Sequence, residues 1–195
     1  MPALTPEPPE QLILKAALSI ASEKKWYNIS LCDVATVSKL SLIEVLSYFP
    51  DTNAIANAWF EQALYAMLAP LPKTYNKMPA TERLEMLLWR WFEALNQQRL
   101  VTLDMLASKF HLPHVNHWAP LAFTLSRHVQ LWRETAKLTA IGRQRQIEEI
   151  GLTAIFLATL SYWCNDTSEG QKNTQDFLHK KLKQGNVVMG KLFNT

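Results

Sequence analysis

Residues 30–49, SLCDVATVSKLSLIEVLSYF, decide the fold. Leu31, Val34, Ala35 and Val37 fall on one helical face, and Leu42, Val45, Leu46 and Phe49 repeat the i, i+3, i+4, i+7 spacing in a second segment. Ser30 is placed to cap the first helix, with Asp33 as an acidic partner for its amino end. Ser41 followed by Glu44 is a capping box for the second. Only Ser38-Lys39-Leu40 separates the two segments, which leaves room for a sharp turn and nothing more. The stretch therefore predicts a helix-turn-helix.

Helical patterns lie on both sides of it. Leu12, Ile13, Ala16, Ala17 and Ile20 share one face of a preceding helix that ends near Lys24-Lys25. From Asn53 a further helix carries Ile55, Ala58, Trp59, Ala63 and Met67.

These residues resemble the amino end of TetR-type regulators. ILKAALSIASEKKW is similar to the family's first helix, and ISLCDVATVSKLSLIEVLSYFPDTNAI to its segment from the second helix to the fourth. Val34-Ala35 matches the family's Ile-Ala, Leu40-Ser41 its Val-Ser, and Tyr48-Phe49-Pro50 its aromatic-Phe step. The likeness covers about sixty residues. It implies that Lys39, Ser41, Leu42, Ile43 and Ser47 face operator DNA, with Lys24 and Lys25 adding phosphate contacts.

The departures are specific. Ser38-Lys39 stand where the family usually has Ala-Gly, although a tight turn costs Gly least. Glu44 and Leu46 replace the usual phosphate-contacting Thr and Tyr, and Thr52 replaces a common Lys. Residues 1–60 hold four lysines against six acidic residues, and the first arginine is Arg83. Cations supply most of the sequence-independent affinity for DNA. The amino-terminal domain thus either binds DNA weakly or does not bind it.

A chain of 195 residues, 48% hydrophobic and 19% charged, is long enough for a substantial core. The first ten residues, MPALTPEPPE, are predicted to be a disordered tail. The pattern of a secretory signal is missing from them, and no apolar run reaches membrane-spanning length, so the expectation is a cytoplasmic protein without stable membrane insertion. Cys32 and Cys164 lack metal-type spacing and are expected to be buried, reduced thiols. No cofactor is called for, and no nucleophile elbow, phosphate-binding glycine loop or zinc-protease motif is present, which argues against an enzyme.

The linker APLPKTYNKMP, residues 69–79, leads into a helix with Leu84, Leu87, Leu88, Trp91, Phe92 and Leu95 on a broad stripe. Further helices follow over residues 99–110 and 118–139. His111, His114 and His117 stand at three-residue spacing, but Pro113 interrupts the helix they would need as metal ligands; no metal site is predicted. Trp91, Phe92, Met105, Phe110, Trp118, Phe123 and Trp132 are either plain core or the lining of an apolar ligand cavity. Arg133, with Arg127, either holds an anionic head group in that pocket or pairs with acidic neighbours such as Glu134 and Glu93.

Residues 143–164 are charged at first and then apolar nearly all round, so this helix has to be covered on more than one side. A turn at residues 165–170 leads to a last helix over 173–183, and the tail GNVVMGKLFNT looks too short and Gly-broken for a membrane helix. In TetR-type proteins the final two helices pair with their copies about a two-fold axis. The resemblance therefore implies a homodimer through Leu152, Ile155, Phe156, Thr159, Trp163, Phe177 and Leu178.

A second resemblance lies in this half. Leu131-Trp132-Arg133, Tyr162-Trp163, Asp166 with Ser168, Thr174 and Phe177-Leu178 are similar to the carboxyl half of the ubiquinone-biosynthesis accessory family, a TetR-like fold with a lipid-binding cavity. It implies an apolar small molecule or lipid as ligand, and a possible loss of the DNA role.

The sequence thus predicts an all-α, TetR-type fold. A helix-turn-helix domain over residues 11–52 is followed by a larger helical ligand-binding and dimerisation domain over 53–195. Two functions stand open: a regulator controlled by an apolar ligand, and a lipid-binding protein that has lost DNA.

Overall fold

The computed structural model describes the backbone of residues 7–110 and 118–193 and, within these, the side chains outside 109–110 and 118–126. Among the described residues the order is α1 (Pro9–Glu23), α2 (Leu31–Ser38), α3 (Leu42–Tyr48), α4 (Thr52–Met67), α5 (Ala80–Asn96), α6 (Arg99–Phe110), α7 (Trp118–Thr135), α8 (Gly142–Asn165) and α9 (Lys172–Phe193). Short 3-10 turns at Trp26–Asn28, Tyr75–Lys77 and Glu169–Gln171 join some of them, and no strand is found among these residues. The all-α expectation holds.

The chain divides into two compact units. Residues 1–63 and 94–113 form one, and residues 64–93 and 114–195 the other. The division departs from a boundary at residue 52, because α6 packs with α1 and with the turn that follows α1. Asp104 on α6 accepts the Trp26 backbone N–H at 2.5 Å and lies 3.4 Å from the Lys25 ammonium. In the same unit the buried Trp59 indole donates to Thr102 Oγ1 at 2.9 Å, and Thr102 donates to the Leu95 or Gln98 carbonyl. Ile13, Ala17, Val34, Val45 and Ile55 fill the core beside them.

Helix α1 begins at Pro9, inside the stretch predicted to be a tail. Proline suits the first helical position because its missing N–H would be unpaired there anyway, and Glu10 adds a negative charge at the amino end. Glu7 pairs with Lys15. Residues 1–6 of the predicted tail lie outside the described residues.

In the second unit, the linker over 69–79 is tied down. Tyr75 is buried and its hydroxyl donates to the Thr135 carbonyl at 2.7 Å, while Arg90 donates to the Ala69 carbonyl at 3.0 Å. Helix α8 packs with α7 and α9. Leu152, Phe156, Thr159 and Trp163 form its buried face, and Ile147, Ile150, Ala154 and Leu157 form the opposite, exposed one. By length and composition α8 is apolar enough to cross a membrane, contrary to the expectation that no such segment exists. Its inner face is nevertheless committed to the core of its own unit.

Helix α9 also differs from its prediction. It runs unbroken to Phe193 through Gly185 and Gly190. At Gly185 an added Cβ would lie 3.4 Å from Ile155 Cδ1, so this position of α9 faces α8.

Candidate nucleic-acid interface

Both helices of the turn motif are capped as the sequence predicts. Ser30 accepts from the Asp33 N–H at 3.2 Å while the Asp33 carboxylate accepts the Ser30 N–H at 2.9 Å. Ser41 and Glu44 repeat the exchange at 3.2 and 2.8 Å. Bonds from the Ser41 hydroxyl and then its backbone N–H hold the Glu44 carboxyl below its ordinary range. Between the helices Lys39 takes the left-handed conformation, φ 60° and ψ 29°. A residue with a Cβ bears that strain where the family's glycine would not.

The predicted DNA-facing residues Lys39, Ser41, Leu42, Ile43 and Ser47 are all exposed. Their chemistry is mostly spent elsewhere. Ser41 Oγ donates to Glu44 Oε2 at 2.7 Å, and Ser47 Oγ donates back to the Glu44 carbonyl at 2.7 Å. Lys24 Nζ lies 2.8 Å from Asp33 Oδ2, a bond that leads the forces holding the Asp33 carboxyl well below its ordinary range. Lys25 is drawn to Asp104. Lys24 thus has a close partner within the unit, while the Lys25 side chain stays 67% exposed. Among the side chains α3 presents are three aliphatic ones: Ile43 is 80% exposed, Leu46 45% and Leu42 39%. Cys32 is exposed and Cys164 half-buried, so neither thiol is fully buried as expected.

The predicted pocket residues separate. Met105 is buried in the first unit. Phe110, Trp118 and Phe123 lie outside the described side chains, as do His111, His114 and His117. Trp91, Phe92 and Trp132 are buried in the second unit, where they pack with Phe156 and Trp163. Ring centroids are 5.2 Å apart for Trp91 and Phe92, 5.1 Å for Trp91 and Phe156, and 5.6 Å for Phe92 and Trp163. That is the spacing of a packed aromatic core. Arg133 is buried against Glu148, Nε to Oε2 at 2.6 Å, and also donates to the Ala140 carbonyl. It holds the start of α8 instead of offering a charge to a ligand.

The predicted dimer residues also face inward. Leu152, Phe156, Thr159, Trp163 and Leu178 are buried within their own chain, and a side chain already covered has little surface left for a partner. Ile155 is half-buried beside Gly185, and the Phe177 ring stacks on Tyr162 at 4.6 Å. Sequence periodicity shows that α8 has two apolar faces, but not which of them the chain itself covers. An open cleft of about 540 Å³ near the α8–α9 turn, lined by residues such as Ser161, Tyr162, Asn165 and Asn173, was not foreseen.

The residues of the second resemblance turn out to be structural. The Trp132 indole donates to the Leu84 carbonyl at 2.8 Å. Buried Asp166 accepts from Ser168 with one oxygen and from the Thr174 N–H and hydroxyl with the other, at 2.6–2.9 Å. Those residues fix the α8–α9 hairpin.

A unit that carries a capped helix-turn-helix, together with a second, larger helical unit, defines a protein built on the plan of helix-turn-helix regulators. The solved structures narrow that class. The chain is 33% identical to a TetR transcriptional regulator from Nitrosomonas europaea over 92% of its own length and 99% of the other's, with a TM-score of 0.80. It belongs to the TetR family. TetR regulators from Rhodococcus sp. RHA1 and Streptomyces coelicolor share the fold at 14% and 12% identity. Their TM-scores are 0.68 and 0.67; the matches cover 91% and 98% of this chain and 94% and 86% of theirs. The COQ9 family model matches residues 149–188, which contain most of the second resemblance. No curated protein sequence matches the chain.

Proposed function

We propose that this protein is a homodimeric, cytoplasmic transcriptional regulator that grips an operator through α3 and responds to an apolar ligand of the second unit. The observation that carries the reading is the intact helix-turn-helix, with both helices capped and the outer face of α3 exposed. A frame kept in this detail, together with family membership, supports a DNA role.

Its affinity is expected to be modest. The unit that contains the motif holds six basic and eight acidic residues, a net charge of −2. With so few cations in the unit and Lys24 held by Asp33, few counterions are released. The logarithmic salt slope is expected to be shallow, roughly −2 to −4 for a dimer. Titration of the purified protein with its own upstream duplex and a scrambled control, at two salt concentrations, tests this. Equal binding of both duplexes at low salt overturns the regulator reading.

The uncovered face of α8 supports a dimer contact there. Ile150 is 70% exposed and Leu157 45%, and the exposed Val187, Val188 and Leu192 of α9 add apolar surface. Burying such a stripe against its copy satisfies two-fold symmetry. The double variant Ile150→Glu, Leu157→Glu is expected to keep its helicity and run as a monomer at micromolar concentration. A wild-type monomer in sedimentation equilibrium overturns the assignment.

The second reading, a lipid-binding protein without a DNA role, is favoured by the COQ9 match over 149–188 and by the paired lysines. In either reading the ligand has to compete with the packing of Trp91, Phe92 and Phe156. It therefore acts only as far as it prefers the opened conformation. Native mass spectrometry that finds a co-purified lipid, with no duplex preference, decides for the second reading.

A further inference from the structure

We infer that α3 reads thymine methyl groups, so that the operator half-site is set by apolar contact with A·T pairs; this rests on the DNA-binding reading above. In the major groove each base pair shows hydrogen-bonding groups, and only thymine adds a methyl. The sequence of α3, LIEVLSY, contains no Arg, Lys, Asn or Gln, the side chains that make the common paired hydrogen bonds to guanine and adenine.

Of its polar groups Glu44 and Ser47 are tied to local partners, and Tyr48 stands at its last residue, away from the amino end. One oxygen of the Glu44 carboxylate accepts the Ser41 N–H and hydroxyl at 2.8 and 2.7 Å, which holds that side chain back against the helix cap. The Ser41 hydroxyl is engaged in the same exchange, and the Ser47 hydroxyl donates to the Glu44 carbonyl. Leu42, Ile43 and Leu46 remain on the outer face. Leu42 and Ile43 are its first two residues, where a recognition helix meets base edges. Apolar branched side chains at that place can distinguish thymine from other bases by burying its methyl.

The full-length protein would be used to enrich duplexes from a random-sequence pool at low salt. The winning duplex would then be remade with deoxyuridine in place of single thymidines, which removes the methyl and leaves every hydrogen bond. Affinity is expected to fall about fourfold for each contacted methyl, the value of burying one such group. Ile43→Ala, at a site exposed enough to leave the fold intact, is expected to bring the thymidine-to-deoxyuridine ratio at one position close to one. Enrichment of a duplex whose affinity is indifferent to every deoxyuridine overturns the methyl reading alone. Failure to enrich any duplex overturns the DNA-binding reading and this inference with it.

Discussion

Arg133→Ala is expected to cost about 3–5 kcal/mol, enough to unfold much of the protein at 37 °C if its total stability is ordinary for a domain. Only about 5% of the Arg133 side chain and 16% of the Glu148 side chain reach solvent. Truncating the arginine leaves the Glu148 carboxylate poorly solvated without its partner at 2.6 Å, and the Ala140 carbonyl loses its donor at 2.7 Å. The loss falls on the segment that leads into α8. Replacing both partners together, Arg133→Met with Glu148→Leu, is expected to recover most of the stability, because the pair's net worth is far smaller than the cost of breaking it. Urea denaturation of the single and double variants measures both. A single variant within about 1 kcal/mol of wild type would show that the ion pair is not what holds this corner.

Asp166→Ala is the second large effect, expected at roughly 2–4 kcal/mol from the loss of charged hydrogen bonds and a helix cap. Burial of the carboxylate favours its neutral form and is the largest single influence on it. The bonds from Thr174 and Ser168 together outweigh it and bring the pKa from 3.8 down to about 2. A carboxyl whose pKa is lowered on folding stabilises the protein fully above its unfolded value. That contribution is lost as pH falls from about 4 towards 2. Wild type should therefore shed about 2 kcal/mol over that interval from this group, and Asp166→Asn should show a correspondingly flatter acid limb. Identical acid limbs in chemical denaturation would remove Asp166 from the account.

How legible the molecule is varies by region. The helix-turn-helix is readable to the residue because its signals are local. Ser30 with Asp33 and Ser41 with Glu44 act across one helical turn, and the three residues between the helices permit one kind of connection. Glu44 was legible as a cap and also as a departure from the family's phosphate-contacting residue, and the structure shows one oxygen of its carboxylate spent on the cap. Lys24 and Lys25 were not legible, since one partner stands on the next helix and the other, Asp104, lies 79 positions away.

The second unit was harder for the same reason. Trp91, Phe92 and Trp132 have one composition whether they line a cavity or fill a core, and only their ring contacts distinguish the two. The extent of α9 was missed because Gly185 and Gly190 weaken a helix in isolation, whereas in the folded chain packing against α8 supports it. Asp166, Ser168 and Thr174 stood in the sequence as a resemblance without a role until their hydrogen bonds gave them one.

The sequence by itself determined the all-α class, the family and the capped turn motif, because hydrophobic period and capping act over a few residues. Tertiary structure alone decided which face of α8 is spent on its own core, where Arg133 directs its charge, and which lysines are engaged. Each of those depends on a partner brought close only by the folded chain.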